Sequence, residues 1–508
     1  MSGFAGIALE IAWFRKLHLT LGSESYSVAL VLAAFMTGLG LGSFLFGRLA
    51  DRMAPIVLYR RLELGIGLFG LASPFVLAAS SVPYAFLRNG LHLEGGALIA
   101  GKFVLSFLLL LPPTLLMGGT LPAAARGLTA AFESRGPAFA LAYGFNALGA
   151  GIAAIAAPFF LLPRIGLAAT VFLAAAFNLA VFVLARGKAF GEHPAGTVDD
   201  DRPVETAAGR LGLMQVPFFL TGFVALAAET VWNRVFSFFF TSSVYTFSLI
   251  LAVYLVTLAA GSLSFSLVRR RFRDPGAVFG ACQLLIAGTL VLSTVLLDRA
   301  PLVLLDLLTG APLTFSRFLN ASAVTLILFT APATFLFGLS FPAGVAFATS
   351  RMPRLGRDIG RLLLWNTFGT AVASIVVTAV LYRTLGSRTS LILFAALMVV
   401  SHFVVAHIQG SSRRKVLSLV ALGVVVVGGM LGSWDLSNFH LRLAQRPHDV
   451  LGAVRAGRVE EFKQGAVVIA FEDGPAATVS VVEVEGLYPS MYINGKPDAS
   501  ENLFDMKT

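Results

Sequence analysis

The sequence predicts an α-helical membrane protein built from two six-helix repeats, a thirteenth helix and a small C-terminal β subdomain. Three observations predict it. The chain is 57% hydrophobic and 13% charged, against roughly 25% charged residues in soluble domains. A chain this apolar places most of its surface in lipid. Apolar runs of membrane-spanning length recur along it, and its opening is written twice. Ser2-Gly3-Phe4, Glu10, Trp13, Arg15, Tyr26 and Gly42-Ser43 return at the same spacing as Thr221-Gly222-Phe223, Glu229, Trp232, Arg234, Tyr245 and Gly261-Ser262. Self-similarity at this distance marks a duplicated membrane fold.

The repeat continues past its opening. Pro112-Pro113-Thr114 with Gly118 and Pro122 returns as Pro332-Ala333-Thr334 with Gly338 and Pro342, and Asn146 returns as Asn366. A span takes roughly 20 apolar residues. On that rule the first half holds spans near 3–21, 26–46, 56–79, 98–121, 138–161 and 167–185. The second half holds spans near 213–239, 244–267, 276–297, 321–347, 362–381 and 389–407, and a thirteenth covers 416–434. The chain divides into a first repeat (1–186), a polar linker (187–210) with Asp199-Asp200-Asp201, a second repeat (211–410), the extra helix (411–434) and the tail (435–508). The linker reads as flexible.

The net charge of +11 is explained by topology, without nucleic acid. Basic residues cluster in alternate loops: 21 in one set (Arg48, Arg60, Arg126, Arg269–Arg271 and Arg413–Lys415 among them) against 10 in the other. The positive-inside rule makes the richer set cytoplasmic, with the N-terminus on that side, as in a bacterial inner membrane. The first apolar segment carries Glu10, Arg15 and Lys16 and belongs to the repeat, so it does not read as a cleavable signal peptide. Cys282 is the only cysteine, so no disulfide forms within the chain. Six spans, a central loop and six more resemble the layout of major facilitator transporters. Gly47-Arg48-Leu49-Ala50-Asp51-Arg52 resembles the start of that superfamily's loop motif after the second helix; the second half has Arg269-Arg270-Arg271 with no matching Asp.

Glu10 and Glu229 are the first candidates for function, because a charge inside a span costs several kcal/mol. On a helix Glu10 shares a face with Trp13, while Arg15 lies about 140° away. Either the two acids form a proton or cation site between the halves, or each is buried in an ion pair within its own half. Asn146 and Asn366, among small residues, read as interhelical hydrogen bonds or polar site residues. Pro112, Pro113, Pro122, Pro332 and Pro342 are expected to break or kink the fourth and tenth helices. Tyr26 and Tyr245 read as interfacial anchors. Gly38, Gly40 and Gly42 read as packing glycines. His402 and His407 have no metal-ligand spacing, and no metal site is expected.

In the tail, Val467–Phe471, Thr478–Val484 and Ser490–Ile493 read as strands with turns at Asp473-Gly474-Pro475 and Glu485-Gly486. The run from Glu472 to Val482, followed by Ile493 to Ser500 and Asp505-Met506-Lys507-Thr508, resembles the N-terminal β subdomain of spermidine-synthase-like proteins, in particular bacterial members fused to a transporter-like membrane region. The resemblance implies an aminopropyltransferase-like protein with decarboxylated S-adenosylmethionine as co-substrate and a polyamine as acceptor. The Rossmann-like catalytic domain would lie beyond Thr508, and this chain by itself would bind no cofactor. Asn494, Gly495, Lys496, Asp498 and Asp505 match the stretch leading into that active site; their plainer reading is a turn between strands. The alternatives are a major-facilitator-type transporter of polyamines or other organic cations, and a membrane anchor that transports nothing. Thirteen spans would place the tail outside, away from a cytosolic donor.

Overall fold

A computed structural model describes residues 1–21, 25–129, 135–185, 205–240, 244–308, 314–349, 355–431, 466–473, 478–484, 489–493 and 496–500. The first half consists of α1 (Ser2–Leu21), α2 (Ser25–Ala50), α3 (Pro55–Ala79), the short α4 (Ser81–Ala85), α5 (Gly95–Leu128), α6 (Arg135–Ala156) and α7 (Leu162–Leu184). The second consists of α8 (Glu205–Phe240), α9 (Val244–Arg271), α10 (Pro275–Leu296), the short α11 (Ala300–Leu308), α12 (Phe315–Thr349), α13 (Leu355–Val376), the one-turn α14 (Tyr382–Thr384) and α15 (Gly386–Ile408). Helix α16 (Ser412–Leu431) follows. Among the described residues, 11 helical stretches are long and apolar enough to cross a membrane. One of these, Gly136–Leu184, holds both α6 and α7; with the 20-residue α1 the two repeats and the extra helix are complete.

The duplication extends to backbone detail. A π-helical turn at Ala157–Leu161 follows α6, and another at Val377–Leu381 follows α13. Soon after each, the chain bends at a glycine with positive φ, Gly166 (76°) and Gly386 (68°), a conformation that disfavours any Cβ. Packing repeats too. Helix α2 lies on α5 as α9 lies on α12, α3 lies on α7 as α10 lies on α15, and α1 lies on α6 as α8 lies on α13. A Cβ at Gly3 would overlap the Asn146 carbonyl, and one at Gly222 the Asn366 carbonyl. The halves meet along two seams, α2 against α13 and α6 against α9.

Several expectations are corrected. Many of the clustered basic residues sit on helices rather than in loops: Arg48 ends α2, Arg60 and Arg61 lie on α3, Arg126 on α5, and Arg357 and Arg361 on α13. The end of the linker is helical, since α8 begins at Glu205. The prolines break neither helix; α5 runs unbroken through Pro112, Pro113 and Pro122, and α12 through Pro332 and Pro342. A neighbouring helix repairs one of the gaps. Pro122 cannot donate to the carbonyl four residues back, Gly118, and Ser43 of α2 donates there instead (2.8 Å). Ser43→Ala should therefore cost about 1 kcal/mol of stability. In a Pro122→Ala background, where the backbone N–H is restored, the same change should cost less; melting of the four proteins in one double-mutant cycle checks this.

Helix α16 runs the length of α15 in the opposite direction. At one end Arg414 lies 3.4 Å from Asp274 of α10, and at the other Arg388 of α15 donates to the Gly429 carbonyl. Val416, Leu419, Val424, Val427 and Met430 are exposed along it, as expected of a lipid-facing span. Reporters fused at the two chain ends should accordingly report opposite sides of the membrane. Reporters on one side would mean that α16 does not cross.

The tail forms an antiparallel meander of β1 (Ala466–Asp473), β2 (Thr478–Val484), β3 (Ser490–Ile493) and β4 (Lys496–Ser500), in that order. Sequence reading found the first three and missed β4, because Pro497 and Asp498 are poor strand formers. Ile493 of β3 pairs with Lys496 of β4.

Candidate functional site

Glu10 lies midway along α1, and Glu229 at the equivalent place on α8. Each is half-buried. The duplication places one acid in each half, and Glu229 lies within the field of Glu10. Tyr254 of α9, itself buried, interacts with both Glu229 and Tyr143 of α6. Four helices and both halves thus contribute acids and phenols to one region of the bundle.

Among the described residues neither acid has a basic partner, so the ion pairs within each half do not form there. Arg15 is exposed, and Arg234 lies over the Tyr382 ring, 4.1 Å from its centroid. Two carboxylates in a poorly hydrated region repel each other strongly. A cation or a proton between them removes that repulsion.

Trp13 and Trp232 serve the two cores instead. Trp13 is buried against α3, where its indole N–H donates to Ser73 (2.8 Å) and its ring meets Phe69 edge-on. Trp232 is equally buried in the second half. Asn366 makes the interhelical hydrogen bond expected of it, its Nδ2 donating to the Phe218 carbonyl (3.2 Å), whereas Asn146 is exposed.

Aromatic clusters link helices of the two halves towards each face of the bundle. Towards the arginine-rich face, Phe139 and Tyr143 of α6 stack on Phe341 of α12 with centroids 5.3 and 5.2 Å away, and Phe218 of α8 meets Phe341 edge-on. Towards the other face, Tyr245 packs between Phe159 and Phe315 at 4.9 and 5.7 Å. Tyr245 thereby ties α9 to the chain just after α6, a role beyond interfacial anchoring. The side chain of Tyr26 lies outside the described residues.

At the arginine-rich face Asp51 joins the halves. Its carboxylate accepts hydrogen bonds from the backbone N–H groups of Gly356 and Arg357, both at 2.8 Å, at the first turn of α13. A carboxylate at a helix N-terminus is well placed. Arg126 of α5 lies 3.6 Å from it. The second half has Arg270 where the first has Asp51.

Sequence reading missed Tyr143, Tyr254, Phe341, Glu63 and Gln283. The last two fall at equivalent places on α3 and α10, a signal available by continuing the repeat from Pro55 and Pro275. In the tail, Lys496 and Asp498 lie on β4, while Asn494, Gly495 and Asp505 lie outside the described residues. His402 sits with Nδ1 2.9 Å from the Gly280 carbonyl. Among the described residues no three His, Cys, Asp or Glu side chains gather as metal ligands.

No family model matches this chain, and no curated protein matches it. The resemblance of the tail to spermidine synthases finds no support in either comparison. Solved structures do overlap with it. The nucleoside transporter NupG is 15% identical, with 80% of this chain and 97% of that chain covered and a TM-score of 0.45. The fucose:proton symporter FucP of E. coli is 13% identical, with 85% and 98% covered and a TM-score of 0.46. A bacterial homologue of the iron transporter ferroportin, in its outward-facing state, is 14% identical, with 87% and 97% covered and a TM-score of 0.45.

Proposed function

We propose that this protein is a secondary transporter of small organic cations, which bind between Glu10 and Glu229. One observation carries the reading: an acid stands inside a span at equivalent places in the two halves, Glu229 lies within the field of Glu10, and neither has a basic partner among the described residues. Fixed structure alone gives little reason to bring like charges together in a membrane. A site that receives a positive ligand does, and intramembrane acids commonly mark such pathways. The duplicated halves meeting along two seams supply the architecture for opening alternately to either side. Polyamines fall within this class. The arginine-rich face is assigned to the cytoplasm of a bacterial inner membrane by the positive-inside rule.

The test is uptake of labelled putrescine, and of a labelled monovalent amine, into liposomes containing the full chain. Saturable uptake above empty liposomes is expected. A membrane anchor predicts none.

A further inference from the structure

The two halves differ at one fully buried polar position. Glu63 on α3 and Gln283 on α10 occupy equivalent places, eight residues after Pro55 and Pro275. Both are 0% exposed. Gln283 is fully engaged: its amide donates to Ser340 (3.0 Å), and its carbonyl oxygen lies 3.4 Å from the Thr221 hydroxyl. Glu63 has no such engagement, and neither carboxyl oxygen has a well-formed hydrogen bond. Ser2, the counterpart of Thr221, faces it from α1, as does Tyr59 from its own helix.

The charges around Glu63 are few. The amino group of Met1, just before α1, faces it. Elsewhere on α1, Glu10 lies about two turns beyond Ser2, Arg15 is exposed and Lys16 is near the far end. Arg48 of α2 lies over Phe44, and Arg126 of α5 lies beside Asp51. Lys102 of α5 is 5.9 Å from the Tyr84 ring centroid, and Tyr84 is the titratable residue of α4. Arg164 of α7 lies over Phe160. On α3 itself, Arg60 donates to the Phe182 carbonyl and Arg61 is exposed.

We propose that Glu63 is a proton-binding site separate from the Glu10–Glu229 pair: its buried carboxyl carries a proton in the packed bundle. The repeat supports this directly. Gln283 is the neutral isostere of a protonated glutamate, so the second half shows which electrical state this position holds when packed. A glutamine cannot release a proton, so the exchange is confined to the first half. Coupling of this proton to cation movement rests on the transporter reading, whereas the proton site itself does not.

Infrared difference spectra of the full chain in liposomes, taken between acidic and alkaline buffer, test the site. The wild type should show the carbonyl stretch of a buried carboxylic acid, and Glu63→Gln should remove that signal. Gln283→Glu should add a second one, which keeps the test decisive if Glu63→Gln folds poorly. Identical spectra for wild type and Glu63→Gln would overturn the proposal. So would a signal that appears only after the Met1 amino group is blocked, because Glu63 would then be a carboxylate paired with that group.

Coupling has its own measurement. One coupled proton under a one-unit pH gradient supports about tenfold cation accumulation. Glu63→Gln should lose that accumulation while still exchanging labelled for unlabelled cation. Equal accumulation in both proteins would overturn the coupling. Absence of uptake in every protein would count against the transporter reading, with the infrared signal still deciding the proton site.

Discussion

Glu10→Gln and Glu229→Gln should each abolish uptake of a diamine while leaving the protein at least as stable as the wild type. Removing one partner from a desolvated charge pair costs about 3 kcal/mol, which is roughly a hundredfold in affinity. A diamine that spans both carboxylates loses one of its two contacts in either variant. A monovalent amine keeps one acid and should lose less. The stability half of the prediction separates this site from a structural one. Acids that locked the bundle through ion pairs would leave a buried charge unpaired when neutralised, and the melting temperature would fall. Acids that repel each other do the reverse: one glutamine relieves the repulsion. Uptake and melting of the same purified proteins therefore decide together. Normal diamine uptake in both variants would remove Glu10 and Glu229 from the site.

Gly360→Leu should hold the arginine-rich end of the bundle apart. On the seam between α2 and α13, a Cβ at Gly360 would overlap the Ser43 carbonyl and lie 3.2 Å from the Gly47 Cα. These are backbone atoms of the opposite half, which no side-chain rotation can move. Overpacking costs about 1–3 kcal/mol where a core can adjust; here the adjustment is separation of the halves. Asp51 would then lose its hydrogen bonds to Gly356 and Arg357. A cysteine placed at Ala50, which is 1% exposed, reports the opening. In a Cys282→Ser background it should resist an impermeant thiol reagent in the otherwise wild-type chain and react when Gly360→Leu is added. Equal reactivity in both would show that the seam does not close that end.

The helices were legible because lipid demands long apolar runs, and the duplication because spacing is visible without coordinates. What was not legible depended on contacts between helices. No local rule says that Ser43 of α2 repairs the gap left by Pro122 of α5, so the prolines read as breaks or kinks. Glu10 and Glu229 were visible as a repeated intramembrane acid, yet their mutual approach follows from how the halves face each other. Glu63 stands beside Arg60 and Arg61 and drew no reading of its own; the structure places all three on α3 and buries the acid. In the tail, Pro497 and Asp498 disguised the fourth strand.

Helix α16 breaks the symmetry of the molecule in a way that bears on motion. It packs on α10 and α15, where Gly428 and Gly429 admit Val291 and Ile392, and these elements belong to the second half. A rocking of one half against the other therefore carries α16 along with α8–α15. The second half has the broader footprint in lipid, and the polypeptide leading to the β meander leaves from it.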